Sequence, residues 1–261
     1  MRMARIATSA GLLLTGAAML KAQPSVPDLG GMWSDPPLTL EDSLCFFYCS
    51  DTKIDHLLTL LDDPANDERP LAELTAEAGR YESRALIEPR LSASARETYP
   101  LDPADDPGFL NCEPWGFARQ VFAPHQLEIV QYADRVEMRY GEWEAHRTIY
   151  LDGREPPANA APSLLGFSRG RYDGDTLVIE TTAVRSNLMP WRSEHSDELE
   201  AVERYRRSDD GSRLLLEITL QDPVALTAPV PLKKVWSWAP DEAIYPYDQC
   251  EPPAEFRRRD E

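Results

Sequence analysis

Positive charge, histidine and long apolar runs are all scarce in this sequence. Its 261 residues include 27 Lys or Arg against 45 Asp or Glu, a formal net charge of −18. Such a chain repels phosphate backbones and anionic bilayers, because nucleic-acid affinity rests on basic contacts to phosphate. No nucleic-acid partner is expected. The one run of three basic residues, Arg257-Arg258-Arg259, reads as a solvated C-terminal tail. Beyond Leu20 no apolar stretch is long enough to span a membrane. None of the four histidines, His56, His125, His146 and His195, stands at zinc-ligand spacing from another. The acidic run at 62–68 lacks the spacing and central glycine of a calcium loop. No metal and no cofactor is therefore expected.

The amino terminus supplies the longest apolar run. Arg2 and Arg5 precede an apolar stretch from Ile6 to Leu20, and cleavage after Ala22 fits a secretory leader peptide over 1–22. The rival is an uncleaved anchor, since Leu20 is larger than the residue usually found three positions before the cut. Removing 1–22 takes three cations and no acid, so the charge moves from −18 to −21. The expected location is periplasmic or secreted, with no stable membrane insertion after leader cleavage.

Four cysteines suit that destination, because an even number in an oxidising compartment implies disulfides. Cys45, Cys49, Cys112 and Cys250 allow three pairings. The preferred one joins Cys45 to Cys49 as a local clip and Cys112 to Cys250 as a long closure; a metal site at Cys45 and Cys49 is the rival. No His follows Cys49 directly, so the segment is not a haem attachment site.

Prolines crowd the first part of the mature chain and forbid long regular elements there. Ile54, Leu57, Leu58 and Leu61 recur at helical spacing and stop before Pro64, and a second helix fits Leu71 to Tyr81. Residues 23–115 are thus expected to form a helical and irregular cover rather than a separate domain. From Leu127 the pattern changes to short β-prone runs: Leu127–Tyr132, Arg135–Tyr140, Trp143–Leu151, Thr176–Thr182, Leu199–Arg207, Arg213–Leu220 and Val230–Trp238. Two-residue turns at Ala133-Asp134 and Gly141-Glu142 join the first three. The fold class expected for 116–261 is mainly β, an antiparallel up-and-down barrel or curved sheet of about eight strands closing on itself.

Several segments carry a resemblance. Gly31-Met32-Trp33 is similar to the Gly-x-Trp of lipocalin-like first strands, where the Trp plugs one end of the barrel. Cys112 to Arg119, the Arg-x-Ile-Tyr-Leu-Asp-Gly-Arg run at 147–154, Gly166 to Thr181 and Glu203-Arg204-Tyr205 resemble a group of uncharacterised secreted bacterial proteins. That group has His where this chain has Phe167. The resemblance implies export and a β-rich fold, and it carries no activity.

Candidate site residues come from polar groups on apolar strand faces. Alternation places Arg147 with Trp143, Ile149 and Leu151, Glu203 with Leu199, Ala201 and Tyr205, and Glu128 with Val130 and Tyr132. A guanidinium on a buried face needs a carboxylate, so Arg147 is expected to pair with Glu128 or Glu203. That pair could fix the barrel register, or it could serve as a lumenal anchor or acid–base group. His195, in a polar connection, is a candidate general base beside Glu194 or Asp197. Trp143, Tyr205 and Trp236 would join Arg147 in lining a lumenal site. Gly166-Phe167-Ser168-Arg169-Gly170 matches a nucleophile elbow but lacks the strand before it and the helix after it, and reads as a Gly-rich turn. These features fit an exported barrel that binds a small hydrophobic or amphipathic molecule. Acid–base catalysis on such a ligand through Arg147, Glu128, Glu203 and His195, or an adaptor role in the cell envelope, are the alternatives.

Overall fold

A computed structural model describes residues 26–35, 45, 47–245 and 250–251. The segment 1–22, expected to be a leader peptide, and the C-terminal arginine run lie outside them. Nine strands close a barrel: β1 (Gly31–Ser34), β2 (Leu127–Gln131), β3 (Arg135–Tyr140), β4 (His146–Tyr150), β5 (Phe167–Asp173), β6 (Thr176–Thr182), β9 (Glu200–Arg207), β10 (Arg213–Gln221) and β11 (Val230–Trp238). Around the barrel they run β1-β11-β10-β9-β6-β5-β4-β3-β2 and back to β1. The excursion between β6 and β9 holds a separate ribbon of β7 (Asn187–Leu188) and β8 (Glu194–His195).

Mainly β structure and closure agree with the sequence; the purely antiparallel meander does not. β4 and β5 run parallel, joined by only two register pairs, Ile149↔Ser168 and Tyr150↔Arg169. The intervening segment 151–166, with Pro156, Pro157 and Pro162, is too long for a hairpin. It returns the chain to the starting end before β5 begins, as a parallel pairing requires. Of the Gly-x-Ser-x-Gly run only Gly166, at φ 71°, keeps a turn conformation; Phe167 to Gly170 open β5, with Ser168 inside the barrel. Trp143 leaves the strand expected for it, because Glu142–Glu144 make a tight 3-10 turn in which Trp143 takes φ 59°.

The inward positions of each strand alternate as pleating demands. They bury Trp33, Ile129, Met138, Tyr140, Ile149, Leu177, Ile179, Tyr205, Leu216, Leu232 and Trp236 in one continuous core. Trp33 plugs one end: its Nε1–H donates to Leu29 O at 3.0 Å, and the Arg207 guanidinium lies 5.1 Å from its ring centroid. Gly31 makes this possible. Its φ of +118° suits glycine, and a Cβ there would fall 2.3 Å from the Trp238 ring. The other end is capped by residues 117–123, which contain the short helix α5 (Phe117–Gln120) and bury both Phe117 and Phe122.

The Pro-rich part lies against the barrel wall. Its helices α1 (Asp51–Leu61) and α2 (Leu71–Glu82) fall where the apolar spacing puts them. Ser50 caps α1, its Oγ accepting from Lys53 N. Leu57, Leu74 and Ala78 form a small second core with Cys45, Cys49 and, from the outer face of β11, Val235. Two short helices follow, α3 (Ala93–Glu97) and α4 (Pro107–Leu110). Main-chain bonds fasten this cover: Cys49 and Lys233 exchange two, Ser92 N donates to Ala225 O, and Leu101 N donates to Arg192 O. Disulfides join Cys45 to Cys49 and Cys112 to Cys250, which marks an oxidising compartment. Among the described residues no helix is long and apolar enough to cross a membrane.

Candidate functional site

Two groups of polar residues stand out, one inside the barrel and one above its capped end. Inside, Arg147 on β4 donates through Nη1 to Glu203 Oε2 at 3.0 Å and through Nη2 to Glu203 Oε1 at 2.8 Å. The guanidinium also donates to the Tyr140 hydroxyl at 3.2 Å, to Ser168 Oγ at 3.0 Å and to Thr181 Oγ1 at 3.0 Å. Tyr205 Oη donates to Glu203 Oε2 at 3.0 Å. Phe117, from the cap, lies 4.7 Å beneath the guanidinium. Burial acts to lower the pKa of Arg147, but the facing Glu203 carboxylate, with Tyr140 adding to it, outweighs burial and holds it well above the ordinary value. Burial pushes both tyrosine hydroxyls up. The two charges are paired and ringed by hydroxyls, the condition under which a buried ion pair is tolerated. Ser168 is engaged in the same network, to Arg147 and Thr181, and is no elbow nucleophile.

Of the residues expected to converge on this site, Arg147, Glu203 and Tyr205 do so. Glu128 does not: it lies on the outer face of β2 and accepts from Arg139 Nη1 at 2.8 Å, because Leu127 and Ile129 are the inward positions of that strand. Trp143 sits in the β3–β4 turn. Trp236 is lumenal and stacks near Tyr205, ring centroids 6.3 Å apart. The lumen holds a second basic side chain that the same alternation in Val230–Trp238 would have revealed. Lys234 is fully buried, and its Nζ donates to Phe122 O at 3.0 Å and Ala123 O at 2.6 Å. It thereby ties β11 to the cap.

His195 belongs to the other group. It lines a cleft of about 350 Å³ bounded by α4, the segment leading into α5 and the β7–β8 ribbon. The imidazole is only 3% exposed. Its Nδ1 lies 2.9 Å from Ser196 O, and a carbonyl can only accept, so Nδ1 carries the proton. Nε2 is then a bare lone pair, and it is a buried atom without a hydrogen-bond partner. Burial lowers the pKa of His195 below 6.5, against the opposing pull of the Ser196 carbonyl, Asp222 and Asp197. Neither Glu194 nor Asp197 orients the ring, as the sequence had suggested; the Ser196 backbone does.

Across the cleft, Asp106 is fully buried and accepts both bonds from Arg119 Nη1, at 3.0 and 2.9 Å, as well as Gly108 N at 3.0 Å. Arg119 in turn lies 4.3 Å over the Trp115 ring. Trp115 Nε1–H, a second buried polar atom of this cleft, has no acceptor among the described residues. Arg119 and Asp106 were not singled out from sequence. The signal available was a Trp and an Arg four residues apart in the Cys112–Arg119 run, just past a Pro-rich acidic turn.

No protein-family model, curated protein sequence or solved structure matches this chain.

Proposed function

We propose that this is an exported protein, periplasmic or secreted, that binds a small amphipathic molecule, and that the molecule sits in the cleft above the barrel cap rather than in the lumen. One observation carries the reading: His195, buried in the cleft wall, has a fixed tautomer and a partnerless Nε2. A buried acceptor left unsatisfied costs about 1–3 kcal/mol, a cost that a bound donor would remove. Support comes from the mixed walls, where Leu101, Leu188 and Trp115 stand beside a few polar groups, and from a volume at the lower end of the range for small-molecule sites. The lumen favours the cleft by contrast, since its polar network bonds to itself and aromatic side chains fill the space around it.

The second reading is acid–base chemistry on the same ligand. It is favoured by the neutral, deprotonated Nε2, the state a general base needs near neutral pH.

Native mass spectrometry of unreduced protein from a bacterial periplasm tests binding. A co-purifying small molecule, kept by Arg147→Met and lost by His195→Leu, is the expected result. Retention by His195→Leu together with loss in a folded Arg147→Met protein would place the ligand in the lumen and overturn the cleft. Turnover of the recovered compound, abolished in His195→Gln, would select the catalytic reading.

A further inference from the structure

We infer that the cleft ligand carries a protonated amine, which donates to His195 Nε2 while its apolar part lies along Trp115, Leu101 and Leu188; this rests on the cleft being the binding site. The first argument is hydrogen-bond polarity. With Nδ1–H committed to Ser196 O, His195 can only accept, so the group that meets it must donate. An ionised carboxylate has no proton to offer at neutral pH and would set its lone pairs against this one.

The second argument is charge, and it is independent of the first. The cleft lining holds four carboxylates, Asp105, Asp106, Glu113 and Glu194, against a single guanidinium, Arg119. That guanidinium is bound by Asp106, so it offers an entering anion little net attraction. Glu113 and Glu194 are exposed at the rim, and the chain as a whole is strongly acidic. A cation gains from this field and an anion is repelled by it. Among the described residues no group of three metal-ligating side chains is gathered, so the field points to an organic cation. The apolar walls require that the cation have a hydrophobic body.

Three probes that share one skeleton separate charge from shape: 2-phenylethylamine, 2-phenylethanol and phenylacetate, titrated into the full mature chain while the His195 ring signals are followed by NMR. The amine is expected to bind at least tenfold more tightly than either of the others and to shift those signals. Glu113→Gln/Glu194→Gln should weaken the amine at least fivefold and the alcohol less than twofold, with the thermal midpoint unchanged. Equal or tighter binding of the alcohol or the acid would overturn the amine while leaving the cleft as a binding site. So would a double variant that binds the amine as the parent does. Failure of all three probes to move the His195 signals would also overturn the amine, and the cleft itself would then be judged by the molecule recovered in native mass spectrometry.

Discussion

Arg147 and Glu203 meet across the barrel from strands that are not neighbours, β4 and β9, with β5 and β6 between them. The same guanidinium bonds Ser168 on β5 and Thr181 on β6. It therefore fastens from inside the part of the wall that contains the short parallel seam, where β4 and β5 share only two register pairs. This arrangement gives the pair a structural role in closure.

Glu203→Gln should be far more damaging than the change of one atom suggests. It leaves the Arg147 charge buried without a counter-charge, and breaking such a pair costs about 3–5 kcal/mol. Arg147→Met/Glu203→Leu removes both charges and should recover at least half of that loss. Urea unfolding of the three proteins with disulfides intact measures both effects; a double variant no more stable than Glu203→Gln would show that the network hydroxyls, not the charges, hold the wall.

Lys234 should make stability rise with pH. Burial lowers its pKa to about 7, with Asp35 opposing, whereas an unfolded lysine titrates near 10.5. Between those values the unfolded chain binds the extra proton, so raising the pH stabilises the fold, by up to about 1.4 kcal/mol per unit. Asp35 acts below that window: burial raises it to about 6, with Lys234 and His125 opposing and Glu242 assisting, so its contribution falls as pH rises from about 4 to 6. Subtracting the Lys234→Met stability profile from that of the parent between pH 7 and 10 isolates the lysine. A flat difference would mean that Lys234 stays charged in the fold.

His195 should titrate below pH 6.5 in the folded protein. Its lowered pKa means that the unfolded chain takes up the proton first, so stability present above about pH 6.5 is lost as the pH falls toward the folded value. Ring ¹⁵N shifts are expected to show the Nδ1–H tautomer at pH 7. A midpoint at or above 6.5 would contradict the burial described here.

The disulfides should contribute unequally. Cys112–Cys250 spans 138 residues and Cys45–Cys49 spans 4, so loop-closure entropy assigns about 5 kcal/mol to the first and about 2 kcal/mol to the second. Paired Cys→Ser variants unfolded in urea give the ranking directly. Equal losses would mean that the local clip also anchors the helical cover, where Cys49 pairs with Lys233.

The sequence by itself determined much of this. Period-2 alternation put Arg147, Glu203 and Tyr205 on inward faces, because pleating leaves no other choice once their neighbours are apolar. Helical spacing placed α1 and α2, and the preferred cysteine pairing is the one found. Alternation also placed Glu128 with Val130 and Tyr132, but it could not say which face of β2 is inward; Leu127 and Ile129 hold the core side, and Glu128 pairs outside with Arg139. The parallel β4–β5 seam was beyond it too, because strand order depends on where a long connection lands and not on residues within the strands. The cleft was least legible of all. His195 lies 80 positions beyond Trp115 and on a segment with no period in common with the Asp106–Trp115 stretch, and only the packing of β7–β8 and α4 over the barrel cap brings them to one cavity.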